Sequence, residues 1–346
     1  MFLETKKRIE SELANYIRQI DRLHNLSRLS PVLLSHIKEF ISRKGKRIRP
    51  ILFTVGYLGY AKKPAPGLYR SALSIELLHD FMLIHDDIID KSDTRRGKPS
   101  MHTMLRKYLT GIKNVKFTGE DLAIVIGDVL YAMALDAFLY VKEKPLHKEA
   151  ALKKLIKAAF FTGCGEFIEL LYSAKNIHEI KKDDIYKIYD LKTANYTFAS
   201  PLAIGATLAG ASEKEVKQLF QYGLYLGRAF QIQDDILGIF SEEEKIGKSN
   251  LTDLQEAKKT VLIWHAFRHS DNSGKAQIKR ILSKRNVNKK DLFKMREIIS
   301  KSGALDYARQ EIGLLLNEAK ALNNSSSMKE NCKKSLDLFS QQMLNL

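Results

Sequence analysis

The sequence predicts an all-α protein folded as a single domain over residues 1–346. Three observations support this prediction. Ala, Leu, Ile, Lys and Glu dominate the composition, and all of them are compatible with helix. Proline occurs 7 times and never after Pro201. Regular alternation of apolar and polar residues, which is typical of strands, is scarce, and no linker is long enough to divide the chain.

The helices are expected in the following order. The first is amphipathic and covers residues 3–25, and the second begins after Ser30-Pro31, a good N-cap and first-turn pair. A basic junction at Gly45–Pro50 precedes an apolar run. Further long helices are expected near 68–90, 120–141, 148–174, 182–209 and 213–240, with polar loops at 91–119 and 241–255 and a Ser-rich break at Asn323–Ser327.

The net charge of +17 is spread along the whole chain. This distribution favours solvated helix faces over a dedicated surface for polyanions. No recognition helix, zinc-finger spacing or RNA-binding signature accompanies the charge, so no nucleic-acid partner is expected. A transient association with an anionic membrane surface stays open.

Cysteine use and hydropathy indicate the compartment. Cys164 and Cys332 form no disulfide framework, which fits a reducing cytoplasm. The amino terminus lacks the apolar core of a signal peptide. Asp128 and Asp136 interrupt the most membrane-like stretch, Leu122–Val141, so a buried core helix is expected there. The sequence therefore predicts a cytoplasmic protein.

Two aspartate pairs carry most of the functional information. The first is Asp86-Asp87-Ile88-Ile89-Asp90, followed by Arg95-Arg96-Gly97, and the second is Gln231-Ile232-Gln233-Asp234-Asp235. Asp86 and Asp90 are four residues apart and share one face of a helix. Two such faces turned toward each other would form an all-oxygen site for Mg²⁺, with Mn²⁺ as the alternative metal and phosphates completing the shell. The pattern indicates an enzyme of diphosphate chemistry.

With these blocks in order, the chain resembles the trans-isoprenyl diphosphate synthases, also called the polyprenyl synthetase family. The resemblance covers residues 40–260. It implies a bundle of helices around a deep central cavity, usually in a homodimer, that condenses isopentenyl diphosphate with an allylic diphosphate. The matching blocks are Gly45–Pro50, Glu76–His79, Leu83–Asp90, Arg95–Gly97, Ile126–Asp128, Lys192–Ala194, Phe230–Asp235, Gly247-Lys248 and Asp253-Leu254 with Lys258.

The resemblance also implies a role for each matching residue. Asp86, Asp90 and Asp234 resemble the principal metal ligands, with Asp87 and Asp235 as further ligands or supporting groups. Lys46, Arg49, His79 and Arg96 resemble the isopentenyl diphosphate pocket. Arg95, Lys192, Lys248 and Lys258 resemble groups that hold the allylic diphosphate, and Thr193 and Gln231 resemble residues beside the carbocation.

The chain departs from the family pattern at two places. Gly238 stands where many relatives have a third aspartate, and a water could fill that place. Glu166 and Glu169 stand where relatives commonly have Gln and Asp, and they are treated as supporting groups.

Several alternatives remain open. The aspartates could be solvated helix-end carboxylates, Lys46 to Arg49 a charge cluster at a helix start, and His79 a core histidine. At the level of function, the alternatives are a class I terpene cyclase, a regulatory subunit of a related synthase, and a basic polyanion-binding protein. A cyclase has no need of a second diphosphate site, a regulatory subunit would be expected to lose aspartates, and polyanion binding leaves the aspartate blocks unexplained.

The residues one turn before the first motif bear on product length. Phe81 and Met82 project near the face of Asp86 and would form a floor for the growing chain. An aromatic residue at position 81 alone resembles the geranylgeranyl (C20) type. We therefore expect geranylgeranyl diphosphate, with farnesyl or C25 diphosphate as alternatives. Phe81 could instead merely pack in the core.

Overall fold

Helices form nearly all the regular structure of residues 1–241 and 250–344, which are the residues that this computed structural model describes. The all-α prediction is confirmed. Contacts group the chain into two units, Met1–Lys153 with Ile204–Ala211, and Lys154–Ala203 with Ser212–Leu346. The expectation of one domain stays a prediction.

The first unit begins with helices at the expected places. Ser30 caps the third of them, because its Oγ accepts a hydrogen bond from the Leu33 amide at 3.3 Å. The helices are α1 (Phe2–His24), α2 (Leu26–Leu29), α3 (Pro31–Ile41), α4 (Ile48–Leu58), α5 (Leu68–Ile89), α6 (Met101–Leu109) and α7 (Gly119–Leu139).

A short β-hairpin in the first unit was not expected from the sequence. Strands β1 (Thr94–Arg95) and β2 (Lys98–Pro99) pair antiparallel, with Arg95 opposite Lys98. Arg96 and Gly97 are therefore the two turn residues, and their φ values of 56° and 72° are both positive. Positive φ at both positions is the geometry of a type I′ turn, which matches the twist of paired strands. The hairpin holds Arg95 and Arg96 in fixed directions.

The second unit contains the later helices. Helix α8 (Pro145–Ser173) begins in the first unit and continues into the second. The expected helix at 182–209 is present, but its middle part, Asp190–Ala199, has π-helical hydrogen bonding. The remaining elements are the 3₁₀ turn Ile177–Glu179, α9 (Lys182–Tyr189), α10 (Ser200–Leu208), α11 (Glu213–Phe240), α12 (Thr252–Gln255), α13 (Val261–His269), α14 (Asn272–Leu282), α15 (Lys289–Lys301), α16 (Ala304–Ser325) and α17 (Glu330–Leu344). Like α8, α10 is shared between the units, because its residues from Ile204 onward belong to the first.

Each unit has its own apolar core. In the first unit, Tyr16, Phe53 and Phe138 are fully buried. In the second, Ile232, Leu262 and Met295 belong to one buried cluster. Helix α7 is long and apolar enough to cross a membrane by length and composition, and the core helix of a soluble protein meets the same test.

Candidate active site

The first aspartate motif lies at the carboxyl end of α5. Asp86 and Asp87 are in its last turn, and Asp90 is the C-cap residue. The Asp87 side chain is fully buried, whereas that of Asp86 is 25% exposed. Arg95 binds both, since its Nε donates to Asp87 Oδ1 at 2.7 Å and a terminal nitrogen donates to Asp86 Oδ2 at 3.3 Å. The Asp87 carboxylate is thus bound by Arg95, and this contact is suited to orienting the Arg95 side chain.

Two turns earlier on α5, His79 is buried in a group of basic residues, here called the His79 pocket, that includes Arg47, Arg49, Arg95 and Arg96. Burial lowers the pKa of His79 well below its usual value, and the positive charges of Arg49, Arg96, Arg95 and Arg47 lower it further. The imidazole is therefore neutral at physiological pH and can donate a hydrogen bond without adding charge. The charges of Arg49 and Arg96 both act on His79, whereas Lys46 is exposed. Their assignment to the isopentenyl diphosphate pocket stays a prediction.

A buried ion pair supports this pocket, and sequence reasoning gave it no role. Arg47 donates to Glu76 Oε1 at 2.7 Å and to Glu10 Oε1 at 3.0 Å. The side chains of Arg47 and Glu76 are 1% and 4% exposed. Arg43 supports the hairpin in turn, because it donates to the Pro99 carbonyl at 2.8 Å. Within the Gly45–Pro50 block, Lys46 is exposed, Arg49 is half-buried and Arg47 is buried, and the sequence alone carries no signal for this difference.

In the second unit, the π-helical segment carries Lys192 and Thr193. Its partner helix α11 packs very close to it, since a Cβ on Gly227 would lie 2.4 Å from Ala194 Cα. This approach lets Thr193 Oγ1 donate to Gln231 Oε1 at 2.7 Å, and Gln231 Nε2 donates to Asp235 Oδ1 at 2.9 Å. Departures from α-helical to π-helical hydrogen bonding within a helix frequently mark functional sites.

Asp235 is buried at the end of this hydrogen-bond chain. Burial raises its pKa well above the usual value, and the charges of Asp253 and Asp234 add to this, while bonds from Tyr189 and Gln231 oppose it. Tyr189 donates to Asp235 Oδ2, and the Tyr189 oxygen accepts from the Val261 amide at 3.0 Å. Asp234 is exposed, so the two aspartates of the second motif differ sharply in environment. Tyr189 was missed because it is 46 residues away from Asp235 in sequence.

Lys192 lies between two carboxylates. Its Nζ is 2.6 Å from Glu166 and 2.5 Å from Glu169. Gly165 allows this contact, because a Cβ there would lie 2.8 Å from the Lys192 amide nitrogen. Both family departures on α8 therefore act directly on a predicted site lysine, as supporting groups.

Lys258 is also ion-paired. It contacts Glu256 at 2.7 Å and Asp253 at 3.4 Å. Burial lowers the pKa of Lys258, but the charges of Asp253, Glu169 and Glu256 outweigh it and raise the pKa well above the usual value. Lys258 therefore carries a positive charge. The predicted partner Lys248 lies outside the described residues.

The space beside Gly238 is taken by a carboxylate. A Cβ at position 238 would lie 2.6 Å from Asp253 Oδ2. From the sequence we expected a water in place of a third aspartate side chain, and the Asp253 carboxylate at this position was not anticipated. Asp253 brings a carboxyl oxygen to that place from a different helix.

The residues predicted to limit product length lie where α5 meets α7. The Phe81 ring lies 4.7 Å from the His85 ring and 5.4 Å from the Tyr131 ring, measured between centroids. Both Phe81 and Met82 are half-buried. Phe81 thus contributes to an aromatic group one to two turns before the metal motif.

Residues 1–241 and 250–344 bring together no group of three His, Cys, Asp or Glu side chains that could hold a metal ion. Asp86 and Asp90 nevertheless offer carboxylate oxygens at one helix end, and oxygen is the donor that Mg²⁺ prefers. Such a donor set fits a metal whose remaining ligands are substrate phosphates and waters.

Comparisons with known proteins identify the family of this chain. The polyprenyl synthetase family model matches residues 30–299. A short chain isoprenyl diphosphate synthase of Methanocaldococcus jannaschii is 32% identical over 303 residues, covering 88% of this chain and 83% of that protein. A geranylgeranyl diphosphate synthase of Sulfolobus acidocaldarius is 30% identical, covering 86% and 85%. A geranylfarnesyl diphosphate synthase of Aeropyrum pernix is 32% identical, covering 88% and 89%.

A solved structure supports the fold. The crystal structure of geranylgeranyl pyrophosphate synthase from Corynebacterium glutamicum, complexed with isoprenyl diphosphate and magnesium, has a TM-score of 0.87 at 24% identity. It covers 99% of this chain and 98% of that chain. The predicted isoprenoid-synthase fold is confirmed, and the match over most of the length identifies this chain as a member of the polyprenyl synthetase family.

Proposed function

We propose that this protein is a short-chain isoprenyl diphosphate synthase that condenses isopentenyl diphosphate with an allylic diphosphate and releases diphosphate. The observation that carries the proposal lies on α5. One helix presents carboxylates at its end, at Asp86 and Asp90, and a separate cationic pocket around His79 two turns earlier. A terpene cyclase binds one diphosphate and has no use for the second pocket. A condensing enzyme must bind two.

The chemistry of the residues fits this reaction. The allylic diphosphate ionises to a carbocation, the double bond of isopentenyl diphosphate attacks it, and a proton is lost to the released diphosphate. Arg49 and Arg96 would bind isopentenyl diphosphate through their planar guanidinium groups. Thr193 and Gln231 present oxygens that can stabilise the cation without trapping it, and Lys192 and Lys258 supply positive charge for the allylic diphosphate.

We further propose that Asp86, Asp90 and Asp234 bind Mg²⁺, with Mn²⁺ as a substitute. When bound, the metal would neutralise charge on the leaving diphosphate. Asp87 and Asp235 are assigned to support, because the first is bound by Arg95 and the second by Tyr189 and Gln231. The carboxylate of Asp253 beside Gly238 adds negative charge close to Asp235.

The direct test is product analysis. The protein is incubated with labelled isopentenyl diphosphate, each short allylic diphosphate and Mg²⁺, and the dephosphorylated products are separated by chain length. We expect geranylgeranyl diphosphate as the main product. A C25 main product would be consistent with the proposed condensation but would contradict the expected chain length. Cyclic hydrocarbons made without isopentenyl diphosphate would contradict the proposed function.

Changing Arg96 to Ala should harm the use of isopentenyl diphosphate more than that of the allylic substrate. Loss of one charge-assisted contact weakens binding by about 1.5–3 kcal/mol, which corresponds to roughly a tenfold to hundredfold rise in KM for isopentenyl diphosphate. The exposed Arg18→Ala on α1 is the control. If KM rises only for the allylic diphosphate, the two diphosphate pockets have been assigned the wrong way round.

Changing Phe81 to Ala should lengthen the product. The aromatic contacts with His85 and Tyr131 would be lost, and a space of about one phenyl ring would open before the metal motif. We expect a shift toward products at least one isoprene unit longer, measured by the same chromatography. The exposed Phe293→Ala should leave product length unchanged. An active Phe81→Ala enzyme with the original product would mean that Phe81 is only a packing residue.

We also propose one cytoplasmic domain that acts as a homodimer. The second unit supports the homodimer, because α8 exposes Phe160, Phe167 and Leu171, which are 63%, 64% and 55% accessible. Their spacing of seven and four residues places them on one face of the helix. An apolar face of this kind is suited to burial against a second copy of the chain.

A further inference from the structure

Asp80 is a buried carboxyl group for which neither the proposed reaction nor the sequence motifs have a use. It lies on α5 directly after His79 and is 1% exposed. Its Oδ1 atom is buried without a hydrogen-bond partner among the described residues. A buried carboxylate that lacks such partners is costly, and the usual response is that the group takes up a proton.

The surroundings of Asp80 make its charge sensitive to a nearby anion. Burial and the charge of Glu76, one turn earlier on the same face, raise the pKa of Asp80 to about 7. The positive charges of Arg96, Arg47 and Arg49 oppose this rise. Arg47 is already paired with Glu76 at 2.7 Å. The ionised form of Asp80 therefore depends on the arginines of the predicted isopentenyl diphosphate pocket.

Charged groups on the neighbouring elements have other partners. From α1, Glu10 contacts Arg47 at 3.0 Å. From α7, Asp128 lies 4.0 Å from His85. From α6, Arg106 contacts Asp93 and Glu120. The charged groups that act most strongly on Asp80 are thus Glu76, Arg96, Arg47 and Arg49.

We propose that Asp80 is a positioning residue of the isopentenyl diphosphate site, and that it accepts one proton when the diphosphate binds to Arg49 and Arg96. This inference rests on the proposed function. A bound diphosphate cancels the positive potential that favours the Asp80 carboxylate. The proton comes from the buffered solution and forms one O–H bond on Asp80, and no other bond changes. The arginines are thereby released from an internal anion and attract only the substrate.

The sign of the pH effect follows from this coupling. The pKa of Asp80 is about 7 in the free protein and rises when the diphosphate is bound. Between these two values binding takes up a proton, so affinity falls as pH increases. Below the pKa of the free protein, Asp80 is protonated with and without the diphosphate. Above the pKa of the complex, Asp80 is ionised in both. Binding therefore takes up no proton at either extreme of pH. Each unit of pKa rise weakens binding up to about tenfold across the window.

Titration calorimetry of isopentenyl diphosphate in buffers of different ionisation enthalpy measures the uptake directly. The comparison is between wild type and Asp80→Asn, with the exposed Asp306→Asn as the matched control. Protons bound by the diphosphate itself contribute equally to all three proteins. We expect extra uptake at pH about 7.5 in wild type and in Asp306→Asn, and its loss in Asp80→Asn, which should also bind more tightly at high pH. Equal uptake in all three would overturn the inference.

A second measurement needs no variant. Infrared difference spectra of wild type with and without isopentenyl diphosphate should show a protonated carboxyl C=O band appearing at pH about 7.5 and absent at pH about 10. If the wild-type protein binds the diphosphate but no such band appears, Asp80 does not take up the proton. If wild type binds no isopentenyl diphosphate at all, the proposed function itself fails, and the two outcomes are therefore distinct.

Discussion

Replacing Asp86 with Ala should lower turnover by at least about 10²-fold, the scale for losing one important electrostatic group in an active site. The proposed metal would lose a carboxylate ligand, and the charge on the leaving diphosphate would be less well neutralised. The fold should persist, because Asp86 is partly exposed and Arg95 keeps its closer contact with the buried Asp87. Steady-state rates with saturating substrates and Mg²⁺ measure the effect.

Two controls make the Asp86 result specific. Asp306→Ala removes an exposed carboxylate in the second unit, and its turnover should equal that of wild type. Chelation by EDTA should abolish wild-type activity, and Mg²⁺ or Mn²⁺ should restore it. Unchanged activity of Asp86→Ala, or full activity in EDTA, would contradict the metal assignment.

Replacing Arg47 with Met should destabilise the protein by about 3–5 kcal/mol, the usual range when one partner of a buried ion pair is removed. Glu76 would remain 4% exposed with its negative charge unpaired and with Asp80 on the same helix face. Methionine approximates the length of the arginine stem, so the loss of charge is the main change. Urea unfolding of the two proteins gives the difference in unfolding free energy.

The matched control is Arg309→Met, which removes the same charge from an exposed pair. The Asp306–Arg309 pair has a separation of 3.7 Å and side chains 78% and 65% exposed. Exposed pairs contribute at most about 1 kcal/mol. If Arg47→Met and Arg309→Met have equal unfolding free energies, the Arg47–Glu76 pair does not stabilise the first unit.

Sequence periodicity was sufficient for most of the helices. Ser30-Pro31 located the start of α3, and the helix expected near 68–90 agrees with α5 at Leu68–Ile89. These signals are local, because capping and turn preferences depend on neighbouring residues. The hairpin around Arg96-Gly97 was missed, since four residues of pairing are too short for a periodic pattern. The π-helical turns at Lys192 were missed because no residue type specifies them.

The family and its reaction class could be read from the sequence alone. The aspartate blocks and the basic residues around them are contiguous motifs, and their order can be read directly from the sequence. The residue types also indicated the kind of ligand. Carboxylate oxygens favour hard divalent metal ions, and guanidinium groups favour phosphate groups. The individual roles of the site residues stay predictions.

Only the tertiary structure decided which charged side chains form ion pairs with other side chains of the protein. It turns Arg47 inward to Glu76, sets Arg95 on Asp87, and places Lys192 between Glu166 and Glu169. It also buries Asp80 and Asp235 while leaving Asp234 exposed. Neighbouring residues of one type differ in this way because burial and partners come from distant segments. The electrostatic energy of a carboxylate depends on those surroundings far more than on its place in a motif.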